Sequence, residues 1–335
     1  MINDTRFQLL QDWVKNTLKW DDARIEVASA DASFRRYFRI HYQSKSFIAM
    51  DAPPEKEDTQ PFIDITKRLL AVEVHAPEII AEHTEQGFLI LEDLGTVPYQ
   101  DVLTDTTAEN LYKEALQALI TLQRADITGL PNYDSALLHQ EMELMPEWFL
   151  KTHLNIELND SQKDIIKRSF KHLTEAITQQ ATGFVHRDYH SRNLMKVGVN
   201  NPGIIDYQDA VNGPLTYDVI SLLRDCYIVW PKEKVNQWAL QYKAMAVEND
   251  LMPECDDSAF LRDFDLMGLQ RHIKVLGIFA RLHHRDGKAH YLEDLPLTLS
   301  YVLEIGKDHP ETAPLVELFN ELEIAKHLGI VEIPQ

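Results

Sequence analysis

In the segment Val185-His-Arg-Asp-Tyr-His-Ser-Arg-Asn-Leu-Met195, a histidine, an aspartate and an asparagine fall in the order H-x-D-x-x-x-x-N, as His186, Asp188 and Asn193. A second aspartate, Asp206, follows two isoleucines in Pro202-Gly-Ile-Ile-Asp-Tyr-Gln-Asp209. Leu194 to Val197 and Gly203 to Ile205 read as short strands, separated by the turn-forming run Gly198-Val-Asn-Asn-Pro202. An antiparallel hairpin brings its outer ends together, and here those ends are Asn193 and Asp206. An amide oxygen and a carboxylate facing one small volume are hard donors. They suit magnesium, which keeps several waters and binds substrate phosphates. Asp188, in the loop before the hairpin, is placed to orient an incoming hydroxyl or take its proton. The chemistry implied is transfer of a phosphoryl group from a nucleotide to a hydroxyl. His186 reads as a buried partner bracing this turn more than as a catalyst.

These residues must be positioned by the elements around them. Phe7 to Leu18 has apolar residues at helical spacing. Arg24 to Ala28, Phe34 to Ile40 and Ser46 to Met50 follow as strands, ended by Pro53 and Pro54. A short helix over Phe62 to Leu70 precedes two more strands, Glu78 to Ala81 and Gly87 to Leu91. From Thr107 the pattern turns helical, with Leu111, Ala115, Ala118, Leu119 and Leu122 on one face. Gln140 to His153, Ser161 to Gln180, Tyr217 to Trp230, Lys232 to Glu248 and Phe260 to His284 are further helix candidates, interrupted by the hairpin. The expectation is an α+β, bilobal architecture: a sheet-rich N-lobe over residues 1–92 and a helical C-lobe over 93–335. The nucleotide is expected in the cleft between lobes.

Composition narrows the partners. A chain of 335 residues with 44% hydrophobic content can build one large or two medium cores. The net charge of −20 argues against nonspecific nucleic-acid binding and against attraction to anionic membranes. It is compatible with a nucleotide, whose charge a local cation cluster and magnesium offset. No stretch near the start reads as a signal peptide, and no run of about 18 apolar residues suggests a membrane span. Two cysteines, Cys226 and Cys255, are too few for a disulfide framework. The expected compartment is a reducing cytoplasm.

Five stretches carry a resemblance: Ser29-Ala-Asp-Ala-Ser-Phe-Arg-Arg-Tyr-Phe-Arg39, Met50-Asp-Ala-Pro-Pro54, Leu91-Glu-Asp-Leu-Gly95, Val185 to Met195 and Ile205-Asp-Tyr-Gln-Asp-Ala-Val-Asn-Gly-Pro214. Together they resemble the aminoglycoside phosphotransferase superfamily of kinase-like enzymes, and most of all its bacterial anomeric N-acetylmuramate/N-acetylglucosamine kinases. The resemblance implies a protein-kinase-like fold, ATP and Mg²⁺ as cofactors, and an amino sugar as small-molecule acceptor, phosphorylated on its anomeric hydroxyl in peptidoglycan recycling. It implies Asp188 as the catalytic base and Asn193 and Asp206 as magnesium ligands. It also implies a phosphate-covering loop over Ala30 to Phe34, with Ser29 or Ser33 adding a hydroxyl, and a hinge over Glu92 to Leu94 whose backbone meets the adenine.

The chain departs from the kinase pattern where a lysine on the third strand usually contacts the α/β-phosphates. Phe47-Ile-Ala-Met-Asp51 has none, and Lys45 precedes the strand. Arg36 or Arg39 on the neighbouring strand is the expected replacement. Asp209 either contacts a sugar hydroxyl or caps the structure that follows, and Asp218 organises the turn into the next helix. Arg224, Asp225 and Tyr227 are expected on a helix lining the acceptor pocket, with Arg224 as the cation for an acceptor carboxylate or else in an internal ion pair. Trp148 either packs on a sugar ring or belongs to the core. Two other functions fit the motifs: a kinase for a cationic acceptor such as an aminoglycoside or a choline-like amine, and an inactive kinase-fold binding module.

Overall fold

The computed structural model describes residues 4–30 and 34–334. Ser33 and the side chain of Ser29 therefore lie outside the described residues. In chain order the strands are β1 (Arg24–Ala30), β2 (Arg36–Tyr42), β3 (Lys45–Asp51), β4 (Ile79–His83), β5 (Phe88–Glu92), β6 (Thr182–Val185), β7 (Leu194–Met195), β8 (Gly203–Ile204) and β9 (Val211–Pro214). The helices are α1 (Thr5–Asp12), α2 (Gln60–Ala71), α3 (Ala108–Leu122), α4 (Ser135–Met142), α5 (Asp160–Ile177), α6 (Thr216–Leu223), α7 (Lys232–Glu248), α8 (Asp257–Asp286), α9 (Leu295–Gly306), α10 (Ala313–Glu321) and α11 (Ile324–Leu328). Among the described residues no helix is long and apolar enough to cross a membrane.

The chain divides into two compact units, the first formed by 1–97 and 194–209, the second by the remainder. In the first, five antiparallel strands run in the order β1-β2-β3-β5-β4. Strand periodicity sends Phe38 and Ile40 of β2 to one face and Tyr37 and Arg39 to the other. The apolar face is covered by Leu10 of α1 and by Trp13 and Val14 beyond it, which join Phe38, Ile40, Ala49, Phe88 and Ile90 in one core. The Asp4 carboxylate caps α1 by accepting from the Phe7 N–H.

The hairpin forms as expected, though with shorter strands: β7 pairs with β8 through Leu194–Ile204 and Met195–Gly203. It belongs to the first unit and not to the second, unlike a simple boundary at 92/93. Backbone bonds explain this: Lys196 N–H donates to Val97 O at 2.8 Å and Ile204 N–H to His75 O at 2.8 Å. Gly203 permits the close approach, since a Cβ there would stand 2.8 Å from Leu94 Cδ1.

The second unit is helical and centred on α8, whose 30 residues span about 45 Å. Residues 266–277 of α8 are buried without a break. A helix buried all round is a core helix, yet this stretch carries Arg271, His272 and Lys274. At Gly277 a Cβ would overlap the backbone of Leu144 and Met145, so only glycine lets α8 pack on the π-helical segment Met145–His153. The helix expected over 217–230 ends at Leu223. Arg224 leaves helical geometry (φ −117°, ψ 56°), and the Asp225 carboxylate accepts the Tyr227 N–H at 3.2 Å to form a turn.

Candidate active site

In the second unit, β6 pairs with β9 and delivers the chain into the loop that begins at His186. Arg187 has φ +76°, an uncommon conformation for a non-glycine residue, and needs outside support. Asp218 of α6 provides it: its two carboxylate oxygens accept the N–H groups of His186 at 2.7 Å and Arg187 at 3.0 Å. Burial pushes the Asp218 carboxyl up to about 7, against the pull of those donors. Asp188 N–H donates to His186 Nδ1 at 3.2 Å, so the buried imidazole is an acceptor on that side. Downstream, the Asp188 carbonyl accepts from His190 N–H at 3.0 Å and from Asn193 Nδ2 at 3.0 Å. The Asn193 amide nitrogen is thus assigned to the loop and its oxygen to the opposite side. Ser191 N–H donates to the Asp225 carboxylate at 3.0 Å, and its hydroxyl donates at 2.5 Å.

A buried charge cluster braces this loop. Glu141 of α4 pairs with Arg187 and, at 3.2 Å, with Lys274 of α8; the Tyr133 hydroxyl also donates to it. Lys274 Nζ donates to Tyr217 at 2.9 Å. Burial pushes Glu141 up, but Lys274 and Arg187 outweigh it and hold the carboxyl below its ordinary value. The same balance holds at Asp188. Burial raises it, and His190, Lys274, His186 and Arg187 together pull it below the usual carboxylate range. Asp188 is therefore an ionised, weakly basic carboxylate, suited to orienting a hydroxyl more than to stripping its proton early.

In the first unit, Asp206 follows β8 with φ +66° and accepts from Gln208 Nε2 at 2.9 Å. The next residue, Tyr207, is buried against Phe62 of α2 and hydrogen-bonds Thr66 at 2.8 Å, which fixes the backbone on which Asp206 sits. Among the described residues no group of three or more His, Cys, Asp or Glu is placed to hold a metal by itself. The Asp206 carboxylate is a hard oxygen donor of the kind magnesium takes with waters and substrate phosphates as its other ligands, and unlike the nitrogen and sulfur donors that zinc favours. In the segment 92–94, Leu94 is buried beside Gly203 and Glu92 is half-exposed. Asp93 pins the segment, accepting from Arg39 Nε at 2.7 Å and from Gly95 N–H at 3.0 Å.

Lys45, expected ahead of the third strand, is the exposed first residue of β3, and the expected cations have partners within the chain. Arg36, the expected phosphate cation, is held between Asp4 and Asp51 at 2.5 Å each, and Arg6 takes the other oxygen of Asp51. Arg39 is taken by Asp93 and by the Gly95 carbonyl at 3.0 Å. The neighbouring Arg35 was missed: it pairs with Glu57 at 3.1 Å and lies within electrostatic reach of Asp209 and Asp206. Arg224 is buried, pairs with Asp265 at 2.6 Å and lies 4.8 Å from the Phe264 ring, which is the internal ion pair of its two expected roles. Asp209 is exposed, and Trp148 is half-buried on the segment Met145–His153. Glu141 and Lys274 carried no sequence signal, because they meet from positions far apart in the chain.

The model of the phosphotransferase enzyme family matches residues 24–256. The chain is 43% identical over 332 residues to a Pseudomonas putida protein named N-acetylmuramate/N-acetylglucosamine kinase, covering 96% of this chain and 98% of that one. A Pseudomonas aeruginosa protein of the same name is 44% identical, with the same coverages. Among solved structures, the chain is similar in fold to a Plasmodium vivax ethanolamine kinase, with a TM-score of 0.65 at 12% identity and coverage of 96% of this chain and 92% of that one. It is likewise similar to an ADP-bound aminoglycoside phosphotransferase, with a TM-score of 0.59 at 14% identity and coverage of 91% and 99%. The fold is the protein-kinase-like fold of these enzymes, and the chain belongs to the phosphotransferase enzyme family.

Proposed function

We propose that this protein transfers the γ-phosphoryl group of ATP to the anomeric hydroxyl of N-acetylmuramate and N-acetylglucosamine, giving the sugar 1-phosphate and ADP in the cytoplasmic recycling of cell-wall sugars. What carries the reading is Asp188, an ionised carboxylate on a loop braced by Asp218 and Glu141, in a chain 43% identical over nearly its whole length to a kinase named for these sugars. The anomeric oxygen attacks the γ-phosphorus in line while the bond to the β-bridging oxygen breaks. Asp188 orients the sugar O–H and accepts its proton as the new bond forms. Asn193 and Asp206, one at each outer end of the β7–β8 hairpin in sequence, are the residues that would hold magnesium, which neutralises phosphate charge when bound. The backbone of Glu92 to Leu94 would meet the base.

The test is ³¹P NMR of the protein with Mg-ATP and each amino sugar, with choline and kanamycin as comparison acceptors. An acid-labile doublet of an anomeric phosphate is expected with the amino sugars. Phosphate on choline or kanamycin instead would replace the sugar reading with a cationic acceptor, and no transfer to any acceptor would leave a binding module. Asp188→Asn should lower kcat by roughly 10²–10⁴, the range for a positioned base; near-full activity would remove Asp188 from this role.

A further inference from the structure

N-acetylmuramate differs from N-acetylglucosamine by a lactyl ether on O3, which ends in a carboxylate. A site that favours the first sugar needs a cation for that carboxylate. In the second unit, Arg187 and Lys274 share Glu141, and Arg224 pairs with Asp265, so these charges are spent within the chain. Arg192 is held differently. It follows Asp188 by four residues on the same loop, and its side chain is 35% exposed. Its Nε donates to Gln100 Oε1 at 2.8 Å, while Asp294 stands 4.0 Å from Nη2, beyond hydrogen-bond length.

The Arg192 guanidinium carbon also lies 3.4 Å from the centre of the Tyr227 ring, a stacking contact. Tyr227 is fixed in turn. Its N–H donates to the Asp225 carboxylate at 3.2 Å, and that carboxylate accepts the Ser191 N–H at 3.0 Å, so one group ties the ring to the residue before Arg192. Gln100 is tied to the same residue, its N–H donating to the Ser191 carbonyl at 3.1 Å. Ring, amide and guanidinium hold one another, and less freedom is left to lose on binding. A guanidinium held at Nε and on one face keeps Nη1 and Nη2 as donors, and among the described residues neither makes a hydrogen bond within the chain. These two nitrogens form the fork that grips a carboxylate through two parallel bonds. His190 sets its imidazole edge-on to Tyr227 at 5.5 Å, and its N–H donates to the Asp188 carbonyl at 3.0 Å. The Tyr227 ring thus links Arg192 to the turn that carries Asp188.

We propose that Arg192 is a specificity-determining residue, whose Nη1 and Nη2 bind the carboxylate of N-acetylmuramate while Asp188 meets the anomeric hydroxyl. The inference rests on the amino-sugar reading above. Its test is the ratio of kcat/KM for N-acetylmuramate to that for N-acetylglucosamine, measured on the full-length protein at saturating Mg-ATP. Arg192→Met should lower the ratio by about 10- to 100-fold, the scale of a hydrogen bond to a charged group, chiefly through the KM for N-acetylmuramate. The wild type should lose a similar factor when N-acetylmuramate is replaced by its methyl ester, and Arg192→Met should treat acid and ester nearly alike. Should Arg192→Met fail to fold, Arg192→Lys carries the test, because it keeps the charge and loses the fork; the ratio should again fall. An unaltered ratio, or a wild type indifferent to the ester, would overturn the inference while the wild type still phosphorylates both sugars. A raised KM for ATP in place of a lowered ratio would assign Arg192 to the nucleotide and overturn it too. A wild type that phosphorylates neither sugar would overturn the amino-sugar reading along with it.

Discussion

Replacing Glu141 by glutamine isolates the charge cluster that braces the loop of Asp188. The glutamate carboxylate meets Lys274 at 3.2 Å, pairs also with Arg187, and is 11% exposed, with Lys274 9% exposed. At an effective dielectric of 20, the Lys274 attraction alone is about 5 kcal/mol before desolvation. Removing one partner of a buried pair leaves the other charge uncompensated, and the net loss is about 3–5 kcal/mol. Here two cations are left. A loss of that size is a large part of the roughly 5–15 kcal/mol that holds a domain folded, and for a chain of this size lowers Tm by on the order of 10 °C. Glu175→Gln is the internal comparison. Its pair with Lys171 is 3.8 Å long, with side chains 61% and 68% exposed, and is worth at most about 0.5 kcal/mol.

Denaturant midpoints and thermal melts of both variants decide the matter. Because Arg187 precedes Asp188 and is anchored by Glu141, Glu141→Gln should also lower kcat while leaving the KM for ATP nearly unchanged. Adding Lys274→Met to Glu141→Gln should recover part of the stability, since it removes one of the stranded charges. A Glu141→Gln protein as stable as Glu175→Gln, or a double variant no better than the single, would refute the argument that this cluster is a coupled structural unit.

Three further outcomes follow from the geometry. Asp218→Asn loses an acceptor for the His186 and Arg187 N–H groups, and should cost about 1–3 kcal/mol in urea unfolding while lowering kcat more than it raises KM. Arg224→Met strands Asp265 with His309 as its remaining partner, and should cost about 3 kcal/mol with the acceptor KM unaltered; a raised KM for N-acetylmuramate alone would return Arg224 to the acceptor site. His272 is pushed down to about 3, first by burial and then by Arg271. The unfolded chain binds the proton near pH 6.5 and the folded chain does not, so the His272 contribution to stability falls by about 1.4 kcal/mol per pH unit below about 6.5, while Asp218, held up at about 7, contributes in the opposite direction. His272→Gln should remove the His272 contribution, making the variant lose less stability than the wild type between pH 7 and pH 5 in urea titrations.

The elements whose packing is decided locally were legible in the chain. Lys232 to Glu248 is read and found over the same residues, and the hairpin pairing of Leu194 with Ile204 follows from two apolar runs and a turn. What failed was the assignment of charges. Arg35, Arg36 and Arg39 stand within five residues and look alike in sequence, yet Asp51, Asp93 and Glu57 sort them into two frame residues and one at the loop. Those partners lie 15 to 54 residues away, and which one a given arginine meets is set by strand register and face. Which of its two expected roles Arg224 takes was hidden for the same reason: Asp265, on α8, pairs with it. The early end of α6 also depended on a distant group, because Asp225 turns back to Ser191 in place of continuing the helix.

The depressed Asp188 carboxyl bears on how the loop works. Were Asp188 a strong base, its surroundings would raise it toward neutrality, as burial alone does; instead Lys274, Arg187 and the two histidines pull it the other way. Phosphoryl transfer through a loose transition state asks little of a base until the new bond is nearly formed, so a carboxylate that stays ionised and holds the hydroxyl in line serves better than one that competes for its proton. The sign of the pH dependence follows. A group whose folded value is lowered keeps its function above that value and loses it only as pH falls through it. The Asp188 ionisation should thus leave kcat/KM flat from neutrality down past the ordinary aspartate value of about 3.9. An acid limb near pH 6 that vanishes in Asp188→Glu would place the titrating group at this carboxylate after all, and would contradict the electrostatic account of the loop.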